Sequence, residues 1–276
     1  LGVDFIQAVW GIHDLINETM AAAAKTHIAE RGGNPQVVTL AAFGGAGPVH
    51  AYGLARKLGA PRVIVPPNAG VGSALGFFTA PRAFDLVRSH KVPLQTADFA
   101  EIEQLFRDME AEGERTLRTA GTTDDILCER SVDARFVGQG SETNLPLPAG
   151  AFTELDRADL RRRFDGVYER LYGRTYPESS VEFVNFRVRA GLPVKLLELP
   201  RLDPSTALRA SLADAVKGER PAYSGIARDF IPFTVYDRYK LFPGAQFYGP
   251  AIIEERESTV IVGEDAQVSV DEYGFL

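Results

Sequence analysis

The sequence predicts a mixed α/β chain, α+β overall, in which a βαβ unit is followed by a β-rich mixed part. Three observations predict it. Two short, nearly continuous apolar runs, residues 37–43 and 62–65, flank a helical stretch, the pattern of strands buried on both faces of a parallel sheet. After about residue 90 apolar and polar positions alternate instead, as in half-exposed strands. From about residue 220 strand-like runs are punctuated by frequent Gly and Pro.

The first element is a helix. Asp4 followed by Gln7 has the form of a capping box, and Phe5, Val9, Ile12, Leu15 and Ile16 recur at helical spacing. Gly32, Gly33 and Pro35 end it. A broad apolar stripe needs a partner surface. With Leu rather than Met at position 1, the expectation is a C-terminal part of a larger polypeptide. Val37 to Phe43 then reads as a buried strand, Gly44 to Gly47 as a turn, and Pro48 as a first-turn residue whose missing N–H costs nothing. The helix runs to Leu58, closed by Gly59, and Arg62 to Val65 is the second strand, expected to pair in parallel with the first. A second glycine-rich stretch spans Gly70 to Gly76.

Asp98 with Glu101 opens another helix, with Phe99, Ile102, Leu105, Phe106 and Met109 on one face. Val132, Ala134 and Phe136 alternate with Asp133 and Arg135, as Val184, Phe186 and Val188 do with Asn185 and Arg187. Between these strands Leu160, Phe164, Tyr168 and Leu171 stripe a third helix that ends at Gly173. Further strands are expected at 231–235, 251–253, 259–262 and 268–270, with 200–219 as linker. The division is taken as 1–90 and 91–276, β-rich after 220.

Composition bounds the function. The 276 residues carry 30 Lys plus Arg against 37 Asp plus Glu, and a net charge of −7 gives no support for nucleic-acid or anionic-membrane binding. One cysteine, Cys128, excludes an intramolecular disulfide and a thiolate zinc cluster and fits a reducing compartment. No apolar run reaches the roughly 18 residues of a membrane span. The expectation is a soluble, cytoplasmic protein.

The most informative motif is Phe43 to His50. A glycine turn between a parallel strand and a helix lets a phosphate approach the backbone, where helix N–H groups and dipole favour negative charge. Neither the dinucleotide fingerprint nor the P-loop pattern is met: His50 stands where the former needs Gly, and Pro66, Pro67 and Asn68 replace its ribose-binding acid. From spacing alone, nucleotide contact and mere tight strand–helix packing both remain open. His13 and His50 are polar residues near such a cleft or structural histidines; the four histidines show no metal-ligand spacing, so no metal site is expected. Ser73 lacks a nucleophile-elbow frame, Cys128 reads as an inert thiol, and Arg161 to Arg163 as a solvated face. Asp237-Arg238 and Glu254-Glu255 read as ion pairs among strands, with no chemistry assigned.

The stretch Leu40 to Ala51 (LAAFGGAGPVHA) resembles the hydantoinase/oxoprolinase family, in particular the ATPase-type subunit of N-methylhydantoinases, 5-oxoprolinases and the acetone and acetophenone carboxylases. The resemblance continues through Val63–Pro67, Gly70–Gly76, Arg135–Gln139, Val235–Arg238, Leu241–Gly244 and Gly249–Glu254, nearly the whole chain in order. It departs at Gly140, where Ser is expected, and at Phe136, where Tyr is usual. The resemblance implies the end of an actin- and acetate-kinase-like ATPase half, followed by the family's β-rich C-terminal part. It implies ATP and Mg2+ as cofactors, with Gly44, Gly45, Ala46 and Gly47 matching the adenosine-side position; His50, just inside the helix after the glycine turn, joins them as a cofactor-binding candidate by its place. It also implies a second, hydantoinase B-type subunit or domain as partner and a cyclic amide or ketone as substrate, the amide or enolate oxygen being phosphorylated. Self-association is expected from the apolar first helix. The first-half phosphate loop has no counterpart here, so catalytic residues are not assigned. An ATP-dependent cyclic-amide hydrolase is the reading, with a ketone carboxylase subunit or a non-catalytic docking scaffold as alternatives.

Overall fold

The computed structural model describes residues 2, 4–194, 198–203 and 210–276. The chain packs as two compact units, Leu1–Phe78 with Leu197–Leu276, and Thr79–Leu196. Packing therefore groups the last eighty residues with the first unit, because the βαβ segment and the C-terminal strands share one core: Ala42, Ala51, Val65 and Ala69 bury against Ile253, Val260 and Val262.

In the first unit, α1 (Phe5–Glu30) is capped by the Asp4 carboxylate, which accepts from the N–H groups of Ile6 and Gln7. β1 (Thr39–Ala41) pairs in parallel with β2 (Arg62–Ile64), and α2 (Gly47–Leu58) connects them, ending on Gly59 in the left-handed conformation at φ 72°. The βαβ unit is thus present. Its first strand corrects the sequence reading, since Pro35–Val37 is a 3₁₀ turn and β1 is short, with Thr39 and Ala41 exposed. The alkyl run there reflects a two-stranded sheet among the described residues rather than a strand covered on both faces. A 3₁₀ turn (Ala69–Val71) and α3 (Gly72–Thr79) follow, and Phe77 and Phe78 stand about 90% exposed.

The second unit has a four-stranded antiparallel sheet in the order β3-β6-β4-β5, formed by β3 (Ala83–Pro93), β4 (Leu127–Phe136), β5 (Thr143–Pro146) and β6 (Val181–Gly191). The core is shared with α4 (Phe99–Thr119) and α5 (Arg157–Tyr172), and the rings of Phe106, Phe152, Phe164, Phe183 and Phe186 are fully buried within it. Each such ring contributes roughly 1.5–3 kcal/mol by leaving water. A bulge opposite Asp133 and Ala134 makes Val184 the extra residue, so burial passes from Phe183 to Phe186 and not through Val184. Arg161 also departs from expectation. Its guanidinium donates to the carbonyls of Tyr176, Pro177 and Ser179 and lies over the Phe136 ring, pinning a loop rather than facing solvent.

A short helix, α6 (Leu212–Ala215), and the strands β7 (Val216–Ser224), β8 (Asp229–Asp237), β9 (Gln246–Tyr248), β10 (Ala251–Glu254), β11 (Thr259–Val262) and β12 (Gln267–Ser269) belong to the first unit. The strands form a β11-β10-β8-β7 sheet, with β8 and β10 parallel and the other pairs antiparallel, and a β9–β12 ribbon. Part of the expected 200–219 linker, residues 204–209, lies outside the described residues.

Candidate functional site

The glycine turn is built at the exit of β1. The Ala42 N–H still donates to the Ile64 carbonyl (2.9 Å), and the chain then turns at Gly44, whose φ of 85° is a left-handed conformation that a Cβ would strain. The Gly44 N–H donates to the Ala69 carbonyl at 2.7 Å, tying this turn to the loop after β2. A Cβ on Gly44 would meet nothing within 4 Å, so the space beside it is open. α2 then starts at Gly47 with Ala46 as N-cap, without a side-chain cap and without an acidic residue in its first turn. Among the described residues the N–H groups of Gly45, Ala46 and Gly47 have no acceptor. Arg56 and Lys57 occupy the last turn, where cations suit the dipole, while the positive N-terminal end is left unanswered. Such an end accepts an anion through backbone N–H groups.

The turn rests on a second loop. The Glu255 carboxylate accepts from the N–H groups of Asn68 (2.6 Å) and Ala69 (3.0 Å) and from the Ser258 hydroxyl (2.8 Å). The segment between β10 and β11 comes so close to Gly70 that a Cβ there would overlap Glu257, and the Glu257 carbonyl lies 3.5 Å from a Cβ position on Gly45. Arg238 is buried beneath this region, donating to the carbonyls of Gly274 (2.7 Å) and Val65 (3.2 Å). Burial lowers its pKa to about 10 against the opposing pull of Glu255 and Asp271, so it stays charged at neutral pH.

His50, in the first turn of α2, donates from Nδ1 to the Asn17 Oδ1 at 2.8 Å, and the Asn17 amide nitrogen lies 3.0 Å from His13 Nε2. The two imidazoles stack at 4.8 Å. Burial, and then the His50 ring, push the His13 pKa down, with Asp14 opposing. All five candidate residues therefore sit together on the β1–α2 turn. Sequence reading missed Asn17, which is 2% exposed, and Gly53, whose absent Cβ makes room for it. A cavity of about 640 Å³ between α1, α2 and the β7–β8 hairpin is walled by Trp10, Tyr52, Tyr223 and Phe233 together with His13 and Asn17, and involves none of residues 44–47. Cys128 is half-buried and burial raises its thiol pKa, followed by the effect of Glu110, so its reactive form is disfavoured. Among the described residues no helix is long and apolar enough to cross a membrane, and no group of three His, Cys, Asp or Glu is placed to hold a metal ion.

Residues 1–85 match the model of the hydantoinase/oxoprolinase family, and residues 91–276 that of the hydantoinase/oxoprolinase C-terminal domain. The chain belongs to the hydantoinase/oxoprolinase family. It is 31% identical over its whole length to an uncharacterized protein of Methanocaldococcus jannaschii, of which it covers 38%. It is 28% identical to the caprolactamase subunit alpha of Pseudomonas jessenii, over 98% of this chain and 39% of that one. The crystal structure of the ATP-dependent caprolactamase from Pseudomonas jessenii superposes on all of it with a TM-score of 0.79, at 26% identity, and is covered to 40%. Further relatives include 5-oxoprolinases and acetone and acetophenone carboxylase subunits. The chain thus spans about two fifths of the length of these first relatives.

Proposed function

We propose that this chain supplies, within the complete protein, the nucleoside-side wall of an ATP cleft in a cytoplasmic ATP-dependent amidohydrolase that opens cyclic amides. One observation carries the reading: behind Gly44–Gly47 the N-terminus of α2 offers backbone N–H groups without acceptors, next to space that a side chain on Gly44 would enter. Gly45, Ala46 and Gly47 would hold the nucleotide through main-chain donors, Gly44, whose N–H is taken by the Ala69 carbonyl, would leave it room, and His50 would contact it from the following turn. Bound ATP would supply the phosphoryl group that activates an amide oxygen. Mg2+ enters with ATP by family resemblance, and no residue of this chain is assigned to it. The first 90 residues belong to the ATPase-like part, and 91–276 to the family's C-terminal part. A hydantoinase B-type subunit or domain is the proposed partner, in keeping with relatives that carry subunit names.

Two alternatives stay in view. The relatives named as carboxylase subunits favour a ketone as the substrate of the same ATP site. Exposed Phe77 and Phe78 favour a docking scaffold for the chain on its own. Titrating ATP into the full-length protein and into this chain separates these readings. The cleft reading expects saturable binding to the full-length protein and little to the chain. Absence of binding to the full-length protein would overturn it and leave the scaffold.

A further inference from the structure

The crossing of α1 and α2 carries an arrangement that backbone packing does not need. Asn17 is a polar residue in mid-helix and only 2% exposed, and it faces Gly53, where a Cβ would come 2.7 Å from its amide nitrogen. The side chain spends both ends of its amide on two histidines of different helices. An amide oxygen only accepts, so the His50 Nδ1 facing it carries the hydrogen. An amide NH2 only donates, so the His13 Nε2 facing it is the unprotonated nitrogen. His13 is thereby kept as the neutral Nδ1–H form, consistent with the fall in its pKa caused by burial. In neutral His50 a hydrogen on Nδ1 leaves Nε2 as an acceptor. That nitrogen has no partner among the described residues and is not a buried orphan, so it is open to a ligand.

We propose that Asn17 is a positioning residue that fixes the His50 tautomer so that His50 Nε2 accepts a hydrogen bond from a donor on the nucleoside half of the bound nucleotide. The proposal rests on the nucleotide reading of the glycine turn. The chemistry selects the nucleoside: phosphate oxygens only accept, whereas the ribose hydroxyls and the adenine amino group donate. Replacing Asn17 by an apolar residue frees the His50 ring to rotate or change tautomer, and the acceptor is lost even though His50 remains.

The test is calorimetric titration of the full-length protein with ATP, 2′-deoxy-ATP, 3′-deoxy-ATP and inosine triphosphate. In the wild type one of the three donor-deleted ligands should bind about three- to tenfold more weakly than ATP, the range of one hydrogen bond. The arm that does so identifies the donor. In Asn17→Leu that discrimination should shrink to less than about twofold. Asn17→Asp keeps an acceptor for the His50 Nδ1–H and should keep the discrimination. A residue that served packing alone would give the opposite order, since a buried carboxylate is costlier than Leu. If Asn17→Leu does not fold, Asn17→Asp and His50→Phe decide: discrimination must persist in the first and vanish in the second. ATP binding with no discriminating arm in the wild type, or discrimination surviving in Asn17→Leu or His50→Phe, overturns the proposal and leaves the nucleotide reading standing. No ATP binding by the wild type overturns both.

Discussion

Gly53 leaves the space that Asn17 fills: a Cβ on Gly53 would lie 2.7 Å from the Asn17 amide nitrogen. The pair sets how closely α2 lies against α1 at the turn that carries His50. Gly53→Ala should therefore destabilise, although alanine is the better helix former by roughly 1 kcal/mol. Overpacking a buried, hydrogen-bonded amide costs roughly 1–3 kcal/mol, and the larger figure wins. A melting temperature at or above wild type would show that Asn17 gives way freely.

The loop beneath the glycine turn predicts a contrast between two glycines. Gly70→Ala would drive a methyl into the Glu257 backbone and should cost roughly 1–3 kcal/mol. Gly76→Ala lies inside α3 with nothing within 4 Å of the new Cβ and should be neutral or stabilising by up to about 1 kcal/mol. Thermal melts of the two variants side by side would check the order, and equal effects would contradict it.

Acid should weaken the second unit through Glu103. Burial alone would raise the pKa of this carboxyl, but donation from Arg130, the Phe152 N–H (2.6 Å) and Arg107 outweighs it and lowers the pKa to about 2. With the folded value depressed below the ordinary 4.5, the contribution is complete above about pH 4.5 and is lost as pH falls toward 2. It is of the order of 3 kcal/mol. Glu103→Gln should lower stability at pH 7 and flatten the loss between pH 4.5 and 2, as read by urea denaturation at stepped pH. An unchanged acid slope would count against this assignment.

The α1 stripe predicts association. Phe5, Ile12 and Leu15 are 75%, 62% and 66% exposed on one helix. The chain expressed by itself should grow in mass with concentration in light scattering, and Ile12→Glu with Leu15→Lys should hold it monomeric. Equal behaviour of wild type and variant would remove the stripe as the cause.

Much of this arrangement is legible in the sequence because it depends on short-range chemistry. Asp4, Asp98, Gly59 and Gly173 mark helix ends where they were read, and the glycine turn falls between a parallel pair. What escaped reading depends on contacts distant in sequence. Asn17 looks like any polar residue of a surface helix until α2 brings His50 to it. Arg161 looks solvated until the 176–179 loop folds over it. The bulge at Val184 leaves its alternation looking regular, and β3, with mostly exposed residues, has too little apolar periodicity to stand out.

The central claim is that a nucleotide lies against the glycine turn, and Gly45→Val in the full-length protein tests it most directly. Gly45 has no left-handed φ, and its Cβ would make only an ordinary 3.5 Å contact with the Glu257 carbonyl, so the fold should tolerate the change, as melting curves can verify. Binding of ATP should weaken more than tenfold, about 1.4 kcal/mol, because the added methyl groups occupy the approach to the backbone. A folded Gly45→Val protein that binds ATP as tightly as wild type would contradict the account and leave the glycines as packing residues alone.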